Sequence, residues 1–125
     1  MSAWTEEQLD RIGRSGELRI TSRGDDGALR RSRIIWVVRE GDELYIRSVN
    51  GVASSWYRGT RDHLAGHVSA GGVDADVAFE DADVSVNDRI DAAYRDKYGA
   101  GSAGVDAITS DGARSTTMRL VPAAG

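Results

Sequence analysis

The spacing of apolar positions changes along the chain, and the changes mark its elements. Trp4-Thr5-Glu6-Glu7-Gln8-Leu9 opens a helix. Thr5 can cap it, Gln8 three residues on can reach back to complete a capping box, and Trp4 and Leu9 are spaced as a hydrophobic staple. Glu6 and Glu7 place negative charge in the first turn, and Gly13 and Gly16 mark the stop. Glu17 to Arg23 alternates apolar and polar residues, the pattern of a half-buried strand. Gly24-Asp25-Asp26-Gly27 is a hairpin turn signal. Ala28 to Arg39 follows as one strand, and its run Ile34-Ile35-Trp36-Val37-Val38 predicts burial on both faces. After the Gly41-Asp42 turn, Leu44 to Ser48 alternates again.

Asn50 to Ser54 reads as a loop and Ala53 to Asp62 as a short helix with Ser54 or Ser55 near its cap. Ala65 to Ala70 and Val73 to Phe79 are strands joined at Gly71-Gly72. An acidic connection, Asp81 to Asp88, leads to a helix over Asn87 to Tyr98 with Ile90, Ala93, Tyr94 and Tyr98 on one face. Asp91 and Arg95 can pair at i, i+4, and Gly99 stops the helix. Ala100 to Asp106 reads as a mobile Gly- and Ala-rich loop, and Arg114 to Val121 as the last strand.

Strand follows strand through short turns, which favours antiparallel pairing. The expectation is one domain over residues 1–125, mainly β with flanking helices. Its six strands can close or nearly close a small barrel and so protect their edges. One sheet packed on helices is the alternative.

The chain has 125 residues, 40% hydrophobic and 29% charged, enough for a core without staples. With no cysteine, disulfides and thiolate chemistry are excluded. His63 and His67 are four apart, but Gly66 interrupts and no carboxylate motif completes a site, so no metal is expected. Asp81, Asp83, Asp88 and Asp91 lack the spacing of a calcium loop. The net charge of −4 argues against a nucleic-acid partner. No apolar run reaches the ~18–20 residues of a membrane span, and a polar, acidic N-terminus points to the cytoplasm. No nucleophile elbow or Walker loop is present.

The chemistry concentrates in Ser48-Val49-Asn50-Gly51-Val52-Ala53-Ser54-Ser55, which leaves a strand and enters a helix. Backbone N–H groups at such a start, with nearby hydroxyls, suit an anion. Arg47 and Arg58 flank the segment, and Arg30, Arg31 and Arg33 can converge from the neighbouring strand, their guanidinium forks matched to phosphate or carboxylate. Trp56 and Tyr57 offer flat surfaces to an aromatic ring. The competing reading, a solvated loop with surface arginines and core aromatics, is the one composition alone favours. Tyr94 and Tyr98 read as core packing or, more sharply, as a proton donor or gate at a ligand pocket.

The stretch Ile34 to Ser48, continuing through Gly51, Ser54, Trp56-Tyr57-Arg58 and Ala65 to Gly72, resembles the core of the flavin and deazaflavin split-barrel superfamily. That group includes pyridoxamine 5′-phosphate oxidase-like proteins and deazaflavin-dependent nitroreductases. Trp4-Thr5 and Ala93 to Gly99 are similar to an uncharacterised bacterial subfamily of it. The resemblance implies a six-stranded split β-barrel and a homodimer with ligand sites at its interface. It implies a flavin or deazaflavin cofactor, FMN or F420, passing hydride to a small planar substrate. Ser48, Gly51, Ser54 and Ser55 would contact phosphate, Trp56 and Tyr57 would border the ring or the dimer interface, and Arg31, Arg33 and Arg58 would be anion partners. The deazaflavin pattern carries Asn after the Trp-Tyr pair and often Pro before it; here Arg58-Gly59-Thr60 and Ser55 stand there. The cofactor therefore stays open, including a cofactor-free binding module or a cofactor-independent isomerase or cyclase.

Overall fold

The computed structural model describes residues 4–22 and 32–123, apart from the side chains of Asp62 and His63. Helix α1 (Glu6–Arg14) starts with the expected capping box. Thr5 Oγ1 accepts from the Gln8 N–H, and the Gln8 side chain accepts from the Thr5 N–H at 3.0 Å. Trp4 and Leu9 are both buried, and Trp4 Nε1–H donates to the Leu120 carbonyl at 2.9 Å.

Among the described residues, seven strands form one antiparallel sheet: β1 (Leu18–Ser22), β2 (Arg33–Ile35), β3 (Val37–Glu40), β4 (Glu43–Ile46), β5 (Ala65–Ala70), β6 (Val73–Asp81) and β7 (Met118–Pro122). Their order is β2-β1-β5-β6-β7-β4-β3. The two outer places belong to β2 and β3, the halves of one run broken at Trp36. β2 pairs with β1, Ile35 opposite Leu18, and β3 pairs with β4, Val37 opposite Ile46. The break at Trp36 brings both sheet edges to one stretch of chain and nearly closes a barrel, leaving little open edge. This is the split-barrel class expected, with seven strands in place of six because one predicted strand is split. Burial on both faces holds for Val37 and Val38 only, since Ile34 on β2 is 53% exposed. The predicted Asp-Gly turn at 24–27 and the start of that strand lie outside the described residues.

Inward positions alternate with outward ones, as strand geometry requires. Leu18, Ile20, Leu44, Ile46, Val68, Val77, Phe79, Met118 and Leu120 fill the barrel together with Leu9 and Ile12 of α1. The outward-pointing Val38 and Tyr45 are covered by Ile90 and Tyr94 of α3 (Asn87–Tyr98) and by Ile108. The segment expected to be a mobile loop contains a helix, α4 (Ala103–Ile108), and α5 (Asp111–Arg114) follows it. Ser102 and Ser110 cap them by accepting from the Val105 and Ala113 N–H groups. Helices this short show no apolar period, so only their caps could have announced them. The last strand starts at Met118 because Thr116 and Thr117 still bond back to the carbonyls of Ala113 and Arg114. Among the described residues no helix is long and apolar enough to cross a membrane.

Candidate functional site

The segment between β4 and α2 (Ser55–His63) is built around buried polar groups. Arg47 is a flanking cation in sequence but is fully buried in the fold. Its Nη1 donates to Asp91 Oδ1 at 2.5 Å and to the Ile108 carbonyl, Nη2 to the carbonyl and Oδ1 of Asn87, and Nε to Thr117 Oγ1 at 2.9 Å. The guanidinium also lies 5.5 Å from the Tyr94 ring centre. Its donors are fully engaged, so Arg47 orders the turn from below. Asp91 therefore serves Arg47, with Arg114 at 3.6 Å, in place of the expected pairing with Arg95.

Ser48 is also buried. Its N–H donates to Thr116 Oγ1 and its hydroxyl to the Gly51 carbonyl at 2.7 Å. Gly51 holds φ +68 in this turn, a conformation glycine adopts without strain. Ser48 and Gly51 thus shape the loop instead of presenting groups to solvent. Ser54 is the cap residue of α2, but its side chain makes no capping bond. That leaves the positive end of the helix dipole available to an anion. Ser55 is exposed beside it.

Trp56 stands between two cavities. One, about 240 Å³, is lined by Ile34, Ile35, Trp36, Arg47, Val49, Trp56, Gly104 and Ile108. The other, about 170 Å³, is lined by Ile20, Ser22, Arg33, Ser55, Trp56, Gly59 and Thr60. The first is mostly apolar and aromatic; the second is more polar and carries Arg33 and the start of α2. Trp36, at the barrel's split, is held in place by Tyr98, whose ring stacks on it at 3.9 Å and 6°. Gly104 lets α4 come close on Trp36: a Cβ there would meet Cη2 at 2.8 Å.

The structure thus gathers Arg33, Ser55 and Trp56 around one site, with Ser54 at the cap beside them. Arg58 is exposed on α2, and Arg31 lies outside the described residues. Tyr57 is buried in the barrel core, edge-on to Trp56 at 6.1 Å, and borders neither cavity. Tyr94 is wholly buried, and burial raises its phenol pKa, the nearby Arg47 charge offsetting only part of the effect; its hydroxyl makes no well-formed hydrogen bond. Tyr98 Oη donates to the Gly16 carbonyl at 3.0 Å and accepts from the Val37 N–H, and burial pushes its pKa up to about 12. Both tyrosines pack and staple, and neither reaches the cavities beside Trp56. Trp36 and Gly104 were not singled out in sequence. The only signal was an aromatic in the middle of an apolar run, which does not reveal that the strand breaks there. His67, one of the paired histidines, sits on β5 between Asp76 at 3.1 Å and Asp74 at 3.4 Å.

A family model described as "uncharacterized protein conserved in bacteria" (DUF2255) matches residues 8–120. The chain belongs to the DUF2255 family. Sequence comparison with curated proteins gives no match. Solved structures similar to this DUF2255 chain include a Listeria innocua protein provisionally described as a pyridoxamine 5′-phosphate oxidase. It is 16% identical with a TM-score of 0.66, over 95% of this chain and 93% of that one. A protein described as an F420 reductase is 13% identical with a TM-score of 0.63, over 97% of each chain. An FAD-binding protein from Mesorhizobium loti is 12% identical with a TM-score of 0.53, over 97% of this chain and 91% of that one. At these identities the likeness establishes the split-barrel fold of the DUF2255 chain.

Proposed function

We propose that this DUF2255 protein binds a flavin or deazaflavin cofactor beside Trp56 and serves as an oxidoreductase for a small planar substrate. One observation carries the reading: an apolar cavity walled by Trp36 and Trp56 adjoins a polar one where Arg33 meets the uncapped start of α2. A planar ring with a phosphate arm needs that combination. Trp36, Ile35 and Trp56 would border the ring, and Ser54, Ser55, Arg33 and the first-turn amides of α2 would hold the phosphate. When bound, the cofactor supplies the hydride chemistry; the chain orients it and excludes water. Each cavity is smaller than the ~300–1,000 Å³ of typical ligand pockets. The exposed Ile34, Val49 and Val52 nearby support a second copy completing the site. Light scattering that returned a monomer mass would remove that part of the proposal.

Titration of FMN and F420, separately, against tryptophan fluorescence tests the reading. Saturable binding of either is expected. Failure of both to bind at high micromolar concentration refutes it. Gly104→Ala forces the Trp36 ring into the cavity and is expected to weaken binding roughly tenfold, the equivalent of about 1.4 kcal/mol. One observation favours a second reading, a cofactor-free module for a small planar ligand. Arg47 and the Ser48 hydroxyl, both expected near phosphate, are engaged internally. Saturable binding of planar acids without either cofactor would support it.

A further inference from the structure

A separate cleft shares no residue with the cavities beside Trp56. It encloses about 490 Å³ between β3 and α3, and Gly13 of α1 borders it. The only lysine of the sequence, Lys97, stands on its wall. Every other basic side chain apart from the histidines is arginine, which cannot act as a nucleophile at neutral pH. Lys97 is half-buried, its Nζ 2.6 Å from the Val37 carbonyl and 5.0 Å from the Tyr98 ring centre. No carboxylate pairs with it among the described residues. An ammonium so placed has lost water without gaining an anion, which destabilises the charged form.

The charged groups around it are few. On its own helix they are Asp96 and Arg89; from β3 come Arg39 and Glu40. Arg39 is committed to Glu6 of α1 at 3.0 Å and to the Gly41 carbonyl at 2.9 Å. Arg89 is held only loosely, 3.8 Å from Glu40, and is 62% exposed. One guanidinium on the cleft is therefore free to turn to a ligand carboxylate.

We propose that this cleft captures small carbonyl compounds bearing a carboxylate, of the 2-oxo acid class, as imines on the Lys97 amine. The nitrogen lone pair attacks the carbonyl carbon, and the oxygen takes up a proton to give a carbinolamine. The nitrogen then re-forms a double bond to carbon and the hydroxyl leaves as water. One carbonyl and one amine give one imine and one water, with no change of oxidation state. Desolvation brings the Lys97 pKa down to about 8, which keeps a useful share of the amine neutral near physiological pH. Arg89 holds the carboxylate, and the Val37 carbonyl, accepting from the Lys97 nitrogen at 2.6 Å, releases it as the imine forms.

The test is capture of glyoxylate by the folded protein with cyanoborohydride present, read by intact mass and peptide mapping. The α-amine of the chain serves as an internal reference. Lys97 is expected to label at least about tenfold faster in the folded protein than in urea, with the rate rising as pH passes through about 8. Lys97→Arg should abolish that adduct while leaving the α-amine adduct and the thermal unfolding midpoint unchanged. Arg89→Gln should slow capture of glyoxylate but not of a neutral aldehyde. Labelling confined to the α-amine, or equal Lys97 labelling in folded and unfolded chains, overturns the proposal. Glyoxylate capture unaffected by Arg89→Gln overturns the carboxylate assignment. None of these outcomes depends on whether a flavin binds beside Trp56.

Discussion

Replacing Asp91 by alanine strands the Arg47 guanidinium, and the structure sets the size of the effect. Arg47 is completely buried and Asp91 nearly so, at 2.5 Å. Removing one partner of a buried ion pair costs about 3–5 kcal/mol, because the remaining charge keeps its desolvation penalty. Here Thr117, Ile108 and Asn87 still accept hydrogen bonds from the guanidinium, and the Tyr94 ring still faces it. The lower end of the range therefore applies, about 3 kcal/mol, against a total stability of roughly 5–15 kcal/mol for a domain. At about 3–4 °C per kcal/mol for a chain of this length, the melting temperature should fall by about 10 °C. Urea and thermal unfolding followed by circular dichroism measure it. Arg47→Met should cost less, since it leaves Asp91 facing Arg114 at 3.6 Å and puts an apolar chain in the core. A loss below about 1 kcal/mol for Asp91→Ala, or the reverse order of the two variants, would show that the guanidinium finds water or another anion, and the reasoning would fail.

Three further outcomes follow from local geometry. Gly66→Ala would place a Cβ 2.2 Å from the Thr21 carbonyl across the β1–β5 pair and 3.0 Å from the Phe79 ring, so a loss of at least about 2 kcal/mol in urea unfolding is expected. Gly16→Ala meets nothing within 4 Å and should leave stability within about 0.5 kcal/mol of the parent. His67 should titrate above the ordinary value of 6.5, first because of its hydrogen bond to Asp76 and then that to Asp74, and Asp76→Asn should lower it in an NMR titration. With the folded-state pKa raised, the imidazolium's contribution to stability is fully present at acid pH and is lost as pH rises through that raised pKa. Both aspartates are more than half exposed, so the effect is small and should fade in salt.

Local chemistry was legible in the sequence. The Thr5–Gln8 box formed as read because a cap is decided by residues three apart. Alternation in β1 and β4 marked their inward residues, since strand geometry alone assigns faces. The α2 start and Trp56 were legible as a candidate site because Ser and Gly mark a helix entry whatever surrounds it. The remaining features depended on partners far along the chain. The strand over residues 33–40 breaks at Trp36 because its two halves pair with different strands, β1 and β4, and nothing local distinguishes Ile35 from Val37. Arg47 read as a surface cation until Asp91, Asn87 and Thr117, all at least 40 residues away, closed over it. The half-buried setting of Lys97 was not legible because its surroundings, the Val37 carbonyl and the cleft against β3, are supplied by another element. Sequence spacing fixes which way a side chain points from its own backbone. Only tertiary packing decides whether water, an opposite charge or an empty cleft meets it there, and that decides whether a charge is structural, solvated or reactive.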